Sequence, residues 1–213
     1  VILDSLMVKD RSGALRASVS HYGVWAWDSL VHAEAHLSAG QPDFVRGMLE
    51  LYHRTADPET GLGHAFNPEM SKLHHLLVPP GQGLYLYALY IYFAYTGDRA
   101  TLQKYYSFAT SILKRALQTR GREGLFEGTS LFPDYPKLAG QTGQDISTFN
   151  NSIIYQAARV MEHLAGWMED PSTAETARQA WQTLLPSFRK RLWDVRRGSW
   201  VDSVDSQTLA QRG

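Results

Sequence analysis

The chain has 213 residues, 44% of them hydrophobic, and its 21 basic residues balance its 21 acidic ones. Zero net charge argues against nucleic acid as a partner, because a polyanion attracts basic proteins. The absence of cysteine excludes disulfides and thiolate metal ligands, and leaves the compartment open between bacterial cytoplasm and periplasm. The most apolar segment, 84–95, is shorter than the ~20 residues of a membrane span, so we expect no membrane association.

A short turn pattern recurs four times along the chain. Each copy is a charged or polar run that ends in a glycine and leads into one or two hydrophobic residues. The glycines are Gly13, Gly61, Gly124 and Gly198. Glycine can adopt the positive φ that such a turn requires. The copies lie 48, 63 and 74 residues apart, which leaves room for two helices between them and is typical of stacked helical hairpins.

Hydrophobic periodicity predicts three pairs of helices between these turns. The predicted pairs are 28–38 with 42–55, 83–95 with 100–120, and 148–166 with 172–193. Gly40 and Gly97 fit positions at which the first helix of the first two pairs ends. Pro42 fits the first turn of the helix that follows Gly40. Pro186 lies inside the last helix and is expected to kink or split it.

The two members of a pair differ in character. Residues 84–93 are apolar or aromatic all round, which is typical of a helix enclosed on every side, whereas 100–120 carries a single apolar stripe. An inner helix followed by an outer helix, three times over, predicts an all-α fold. We interpret it as an α/α toroid of helical hairpins, about half of an (α/α)6 barrel. An open right-angled solenoid would give the same alternation.

Two loops of about 25 residues, 56–82 and 121–147, join successive pairs and are expected on one rim, where long loops usually carry function. Trp25, Trp27 and Asp28 lead into the first inner helix from this rim. Indole faces stack on sugar rings and a carboxylate accepts hydrogen bonds from sugar hydroxyls. The candidate substrate-binding residues are therefore Trp25, Trp27, Asp28, Tyr22, His64 and Phe66. The alternative for Asp28 is a helix N-cap.

Three carboxylates in the second long loop are candidates for a catalytic general acid: Glu127, Asp134 and Asp145. A general acid needs a carboxyl group at a partly desolvated rim, where its pKa is raised. The alternatives are a helix cap for Asp145 and exposed loop charges for Glu127 and Asp134.

A histidine pair at His32 and His36 has the spacing of a metal chelate on a helix. Glu34 is one place too late for the metalloprotease motif, and no third ligand is evident. We therefore predict no metal site and no cofactor.

The segment 21–29, with its Trp-Ala-Trp-Asp run, resembles the Trp-x-Trp-Asp motif of the six-hairpin glycosidases of glycoside hydrolase family 63. That group includes processing α-glucosidase and mannosylglycerate hydrolase. The segment 141–145 is similar to the Glu-Ser-Gly-x-Asp motif of the family, with Gln-Thr in place of Glu-Ser. The resemblance implies that Asp28 contacts the sugar and that Asp145 is the general acid. It also implies a general-base glutamate to which no residue here corresponds.

The function that this resemblance implies is an inverting glycoside hydrolase, exo-acting on α-linked gluco- or manno-configured sugars. Inversion needs two carboxylates about 6.5–9.5 Å apart, so activity requires the rest of the barrel. We interpret residues 1–213 as a single, partial (α/α)6 glycosidase-like catalytic domain. Two alternatives stay open: a sugar epimerase or polysaccharide lyase, or a non-catalytic glycan-binding remnant. The candidate bases of an epimerase or lyase are His32, His36, His64 and Tyr22.

The sequence of the third inner helix, 148–166, indicates a second partner besides the carbohydrate. Its apolar stripe is wider than one outer helix can cover, and each large exposed apolar side chain forgoes about 1.5–3 kcal/mol. The stripe consists of Ile153, Ile154, Ala157, Val160, Met161, Leu164 and Trp167. We therefore expect further helices of the same barrel, from another segment or chain, to pack against it.

Overall fold

The computed structural model describes residues 24–57, 61–62, 65–67, 72–73, 79–118, 120–127 and 146–212. The chain divides into two compact units. The first comprises Val1–Leu77 and Leu84–Ala109, and the second comprises Val78–Gly83 and Thr110–Gly213. Among the described residues, no helix combines the length and the apolar character needed to cross a membrane.

The predicted helices are all present. They are α1 Ala26–Val31, α2 Ala33–Ser38, α3 Pro42–Thr55, α4 Pro79–Thr96, α5 Arg99–Gln118, α6 Thr148–Trp167 and α7 Pro171–Leu192. The first inner helix differs from the prediction because it begins at Ala26 and is divided at His32. The ψ of His32 is −4°, far from the helical value of about −42°, so the turn tightens there.

Of the two outcomes predicted for Pro186, the split does not occur, because α7 continues to Leu192, and the kink stays a prediction. A proline inside a helix removes one backbone hydrogen bond. Leu184 and Leu192, which lie on either side of Pro186, are both buried and keep the helix packed.

Short antiparallel strands flank the helical hairpins. The first unit contains one three-stranded sheet, made of β1 Val24–Trp25, β2 Ala65–Asn67 and β3 Lys72–Leu73. The second unit contains a three-stranded sheet and a hairpin. These are built from β4 Ile146–Ser147, β5 Trp193–Asp194, β6 Ser199–Trp200, β7 Ser203–Val204 and β8 Gln211–Arg212, in the order β4-β7-β8 and β5-β6.

The two three-stranded sheets repeat the same plan. In each, the strand before an inner helix pairs with a strand that follows the next glycine turn: Val24 opposes Phe66, and Ile146 opposes Val204. In each sheet, this second strand also pairs with a third strand that follows it. The residue that opposes Phe66 or Val204 in this pairing lies seven positions later in the sequence, as Gln211 does for Val204. This register makes residues 24–29 equivalent to 146–151. We call these two stretches the lead-in segments.

The glycine turns of the predicted repeat have the expected backbone geometry. The φ angles are +87° at Gly61, +75° at Gly124 and +66° at Gly198, while Gly13 lies outside the described residues. Each turn closes a short antiparallel contact, which pairs Asp57 with Gly61, Arg120 with Phe126, and Asp194 with Ser199. Each also delivers buried apolar side chains just after the glycine: Leu62, then Leu125 and Phe126, then Val201.

The core of the second unit joins these turns to its helices. Its buried members are Ala116, Leu125, Phe126, Ile146, Ile154, Leu184, Leu192, Val201 and Val204. The helices α6 and α7 pack along each other. Gly83 gives α4 a close approach to α6, because a Cβ atom there would lie 2.5 Å from Cγ2 of Ile153.

The apolar stripe of α6 is covered by this chain itself. The buried residues are Ile153, Ile154, Ala157, Val160, Met161 and Leu164, and Trp167 is partly buried. The expectation of further helices therefore stays a prediction, but it does not follow from an exposed stripe on α6.

Candidate functional site

The first lead-in segment carries the tryptophan and aspartate motif. Trp25 ends β1, is partly buried and occupies the N-cap position of α1, but its side chain makes no capping hydrogen bond. Asp28 is the third residue of α1, so the alternative that it is the N-cap is wrong. Within the part of the chain that the structure describes, the partly exposed Asp28 carboxylate has no hydrogen-bond or ion-pair partner. It lies in the first turn, where the helix dipole favours a negative charge.

The first long loop lies beside this motif through strand pairing. Trp25 opposes Ala65, and Val24 opposes Phe66 in the neighbouring strand β2. Opposing residues in an antiparallel pair have Cα atoms about 4.5–5.5 Å apart, so the backbones of Trp25 and Phe66 are close. Two predicted substrate-binding positions are thus brought together. Tyr22 and His64 lie outside the described residues, as does the side chain of Trp27.

Of the three predicted acids, only Glu127 falls within the described residues, and Asp134 and Asp145 lie outside them. Glu127 is partly buried and folds back over its own turn, because a Cβ atom at Gly121 would overlap its carboxylate. The turn is closed by the N–H of Gly121, which donates to the carbonyl of Leu125 at 2.8 Å. A larger residue at position 121 would displace Glu127.

The residue before Glu127 is held by a side chain from the second lead-in segment. Oδ1 of Asn151 accepts from the N–H of Phe126 at 2.8 Å, and Nδ2 of Asn151 donates to the carbonyl of Phe126 at 3.0 Å. The same Nδ2 donates to the carbonyl of Ser147 at 2.9 Å, and Asn151 is fully buried. Asn151 therefore fixes the backbone from which Glu127 projects.

The two helical histidines have different surroundings. His36 is buried, its Nδ1 lies 2.8 Å from Oε1 of Gln41, and its ring packs against Phe44 at 4.1 Å. This arrangement anchors the turn between α2 and α3. His32 is exposed at the division between α1 and α2. Among the described residues, no group of three or more metal-ligating side chains comes together.

A polar contact between α2 and α4 was not predicted from the sequence. The hydroxyl of Tyr87 donates to Oε2 of Glu34 at 2.9 Å. Burial, and then this hydrogen bond, raise the pKa of Tyr87 to about 12. One turn further along α2, Oγ of Ser38 lies 3.4 Å from the hydroxyl of Tyr95. The signal in the sequence was the spacing of four between Glu34 and Ser38 and of eight between the two tyrosines, which places each pair on one helix face.

The sequence matches no protein-family model and no curated protein. Solved structures do match. The family 78 rhamnosidase of Bacillus sp. GL1 is 20% identical with a TM-score of 0.71, over 89% of this chain and 19% of that chain. A rhamnosidase from Klebsiella oxytoca with rhamnose bound is 18% identical with a TM-score of 0.67, over 87% and 36%. A D-mannose isomerase is 15% identical with a TM-score of 0.67, over 100% and 59%.

These similarities concern the fold. They show the predicted class, an all-α toroid of helical hairpins of the type found in glycoside hydrolases. The chain spans 19% and 36% of the length of the two rhamnosidases and 59% of the isomerase.

Proposed function

We propose that this chain is part of a glycoside hydrolase and that its first lead-in segment forms a sugar-binding subsite. The observation that carries the proposal is the carboxylate of Asp28, which is partly exposed in the first turn of α1 although the helix does not use it as a cap. The partly buried indole of Trp25 lies three residues before it. A ring stacked on indole and hydroxyls bonded to carboxylate is the usual chemistry of sugar recognition.

The reaction we propose is the inverting hydrolysis of an α-linked gluco- or manno-configured glycoside from the chain end, as the likeness to family 63 implies. Asp28 binds the sugar. One of Asp145, Asp134 and Glu127 protonates the leaving oxygen. A general base from outside this segment, with its carboxylate about 6.5–9.5 Å from that of the acid, activates the attacking water. Further helices of the same barrel, from another segment or chain, supply that base.

The test is the release of sugar from nitrophenyl α-glucoside, α-mannoside and α-rhamnoside by the full-length protein, with the anomeric product followed by NMR. Asp28→Asn should lower kcat/KM by at least about 100-fold, because it removes a charge from a contact to the sugar. Asp43→Asn is the matched control, since Asp43 is an exposed carboxylate in the first turn of α3, and it should leave kcat/KM unchanged.

Two results would contradict the proposal. One is the absence of release from any α-glycoside by the full-length protein. The other is an Asp28→Asn variant as active as the control, which would remove Asp28 from the subsite.

A second candidate function is the isomerisation of a free sugar, favoured by the D-mannose isomerase that matches the whole of this chain. That chemistry needs a base to move a proton between neighbouring carbons rather than an acid for a leaving group. Of the predicted bases, His32 is exposed, whereas His36 is engaged with Gln41. Conversion of free mannose without cleavage of any α-glycoside, lost in His32→Gln, would select this function.

A further inference from the structure

The end of α7 concentrates positive charge in a chain whose net charge is zero. Residues 189–197 include five basic side chains and one acidic side chain. Four of the basic residues line a cleft of about 480 Å³ in the second unit: Lys190, Arg191, Arg196 and Arg197. Its remaining polar lining is Asp194 and Gln211.

Hydrogen bonds hold the wall of this basic cleft in place. Glu123 accepts from Nε of Arg191 at 2.7 Å and from a second nitrogen of the same guanidinium, which fixes Arg191 with two parallel bonds. Oδ1 of Asp194 accepts from the backbone N–H groups of Arg196 and Arg197 at 2.8 and 3.3 Å. The turn that carries both arginines is therefore ordered before any ligand arrives.

The carboxylates near the basic cleft do not balance its cations. Glu123 lies 3.7 Å from Lys190 as well as bonding Arg191, and Asp194 lies 3.6 Å from Arg197. In the part of the chain that the structure describes, these ion pairs set two carboxylates against the four cations of the cleft. Among the described residues, the exposed Arg196 side chain has no ion-pair partner. An anionic group on a ligand would complete this set of charges, and arginine favours planar carboxylates because its fork of N–H groups matches them.

An exposed indole lies on the hairpin that borders the cleft. Trp200 is 46% exposed, and its ring packs against Trp193 and Phe188 with centroid distances of 5.0 and 4.8 Å. Arg197 is only three residues away, so the two Cα atoms lie within about 11 Å. Trp200 lies outside the lining of the cleft, but a ligand of two or three sugar rings is long enough to span the distance from the arginines to the indole. A bare anion would make no use of an aromatic face.

We propose that the basic cleft binds an acidic oligosaccharide, with a uronate carboxylate at Arg196 and a neighbouring ring on Trp200. The choice of a saccharide rests on the proposed function, whereas the need for an anion does not. Binding at the basic cleft is measured by calorimetry and hydrolysis by sugar release, so the two can be measured separately.

The experiment is calorimetric titration of the full-length protein with trigalacturonate, the neutral β-linked trisaccharide cellotriose and inorganic phosphate. Trigalacturonate should bind at least about tenfold more tightly than either control, and raising the salt from 50 to 500 mM should weaken it because exposed charges are screened. Arg196→Ala combined with Arg197→Ala should weaken trigalacturonate binding at least about tenfold. Lys114→Ala, which removes an exposed cation from α5, should not.

Three outcomes would overturn the inference: equal affinity for cellotriose, equal affinity for phosphate, and unchanged binding in the double arginine variant. The two readouts separate this inference from the proposed function. Calorimetry with trigalacturonate reports on the basic cleft and sugar release from the nitrophenyl glycosides reports on hydrolysis, so a failure of either result leaves the other standing.

Discussion

The two lead-in segments share a backbone plan and differ in what they carry. Both begin with a buried aliphatic residue, Val24 or Ile146, and both place a fully buried polar residue five positions later. In the second segment, the hydroxyl of Ser147 caps α6 by accepting from the N–H of Asn150. In the first segment, a tryptophan takes the place of that serine and leaves α1 without a side-chain cap. The repeat thus supplies the scaffold, and departures from it mark the candidate site.

The helices that follow differ in the same direction. The second segment leads into α6, which is unbroken for 20 residues, whereas α1 and α2 have six residues each on either side of His32. Helices this short are marginal on their own and depend on tertiary packing. The first segment therefore lacks a side-chain cap and is followed by a divided helix. At the position of the buried Asn150 in the second segment, the first segment has a partly exposed carboxylate. This difference is expected where binding rather than stability sets the residue.

The largest effect on stability is expected from a substitution of Asn151, the buried polar residue of the second segment. Asn151→Leu removes the partner of both backbone groups of Phe126, and each unsatisfied buried group costs about 1–3 kcal/mol. The free energy of unfolding should fall by about 2–6 kcal/mol, measured by urea denaturation. Ser29→Ala, the equivalent change in the first segment, removes one hydroxyl and should cost about 1 kcal/mol.

The control for Asn151 is its neighbour Ser152, which is exposed and, among the described residues, bonds to the carbonyl of Phe149. Ser152→Ala should change the free energy of unfolding by less than about 0.5 kcal/mol. Equal losses in Ser29→Ala and Asn151→Leu would show that the two segments are held in the same way, contrary to the comparison above.

The sequence predicted those features that depend on local chemistry. The positive φ of Gly61, Gly124 and Gly198 follows from the residue type, and the helices follow from their apolar spacing. The strands of the two sheets were not resolved as elements, because two or three residues are too few to show a period of two. Their register became visible only when the strands were paired in the structure.

Contacts between distant residues account for the rest of what was missed. Glu34 and Tyr87 are 53 positions apart, and Glu123 and Arg191 are 68 apart. No local pattern links such pairs, since their proximity depends on how hairpins pack. The position of the N-cap of α1 also depends on such a distant contact, because it is set by where β1 ends. The sequence alone therefore left Asp28 as a candidate cap.

A smaller effect should separate a capping aspartate from the candidate sugar-binding one. Asp170 is a true N-cap of α7, because its Oδ1 accepts from the N–H of Thr173 at 3.0 Å. Asp170→Ala should lower the free energy of unfolding by about 1 kcal/mol. Asp28→Ala should change it by less than about 0.5 kcal/mol, because Asp28 makes no capping hydrogen bond to any residue that the structure describes. Thermal or urea unfolding of both variants measures the difference, and equal losses would return Asp28 to a structural role.

The smallest effect on stability is expected at the turn that contains Gly124. Hydrogen bonds between Glu123 and Arg191 join this turn to α7. Hydrogen bonds from Arg191 lower the pKa of Glu123 from 4.5 to about 2. A carboxyl whose pKa is lower in the folded state stabilises the fold above its unfolded pKa, and loses this contribution as pH falls through the folded value. The stabilisation should therefore be complete above about pH 4.5 and disappear near pH 2.

The measurement is the Tm of the unmodified protein and of Glu123→Gln at intervals between pH 2 and 7. The unmodified protein should have the higher Tm at neutral pH, and the difference should shrink below about pH 4.5 and vanish near pH 2. The pair is exposed to solvent, so 1 M salt should reduce the difference at neutral pH as well. A difference that stays constant with pH would mean that packing of the Glu123 side chain, and not its charge, secures the turn.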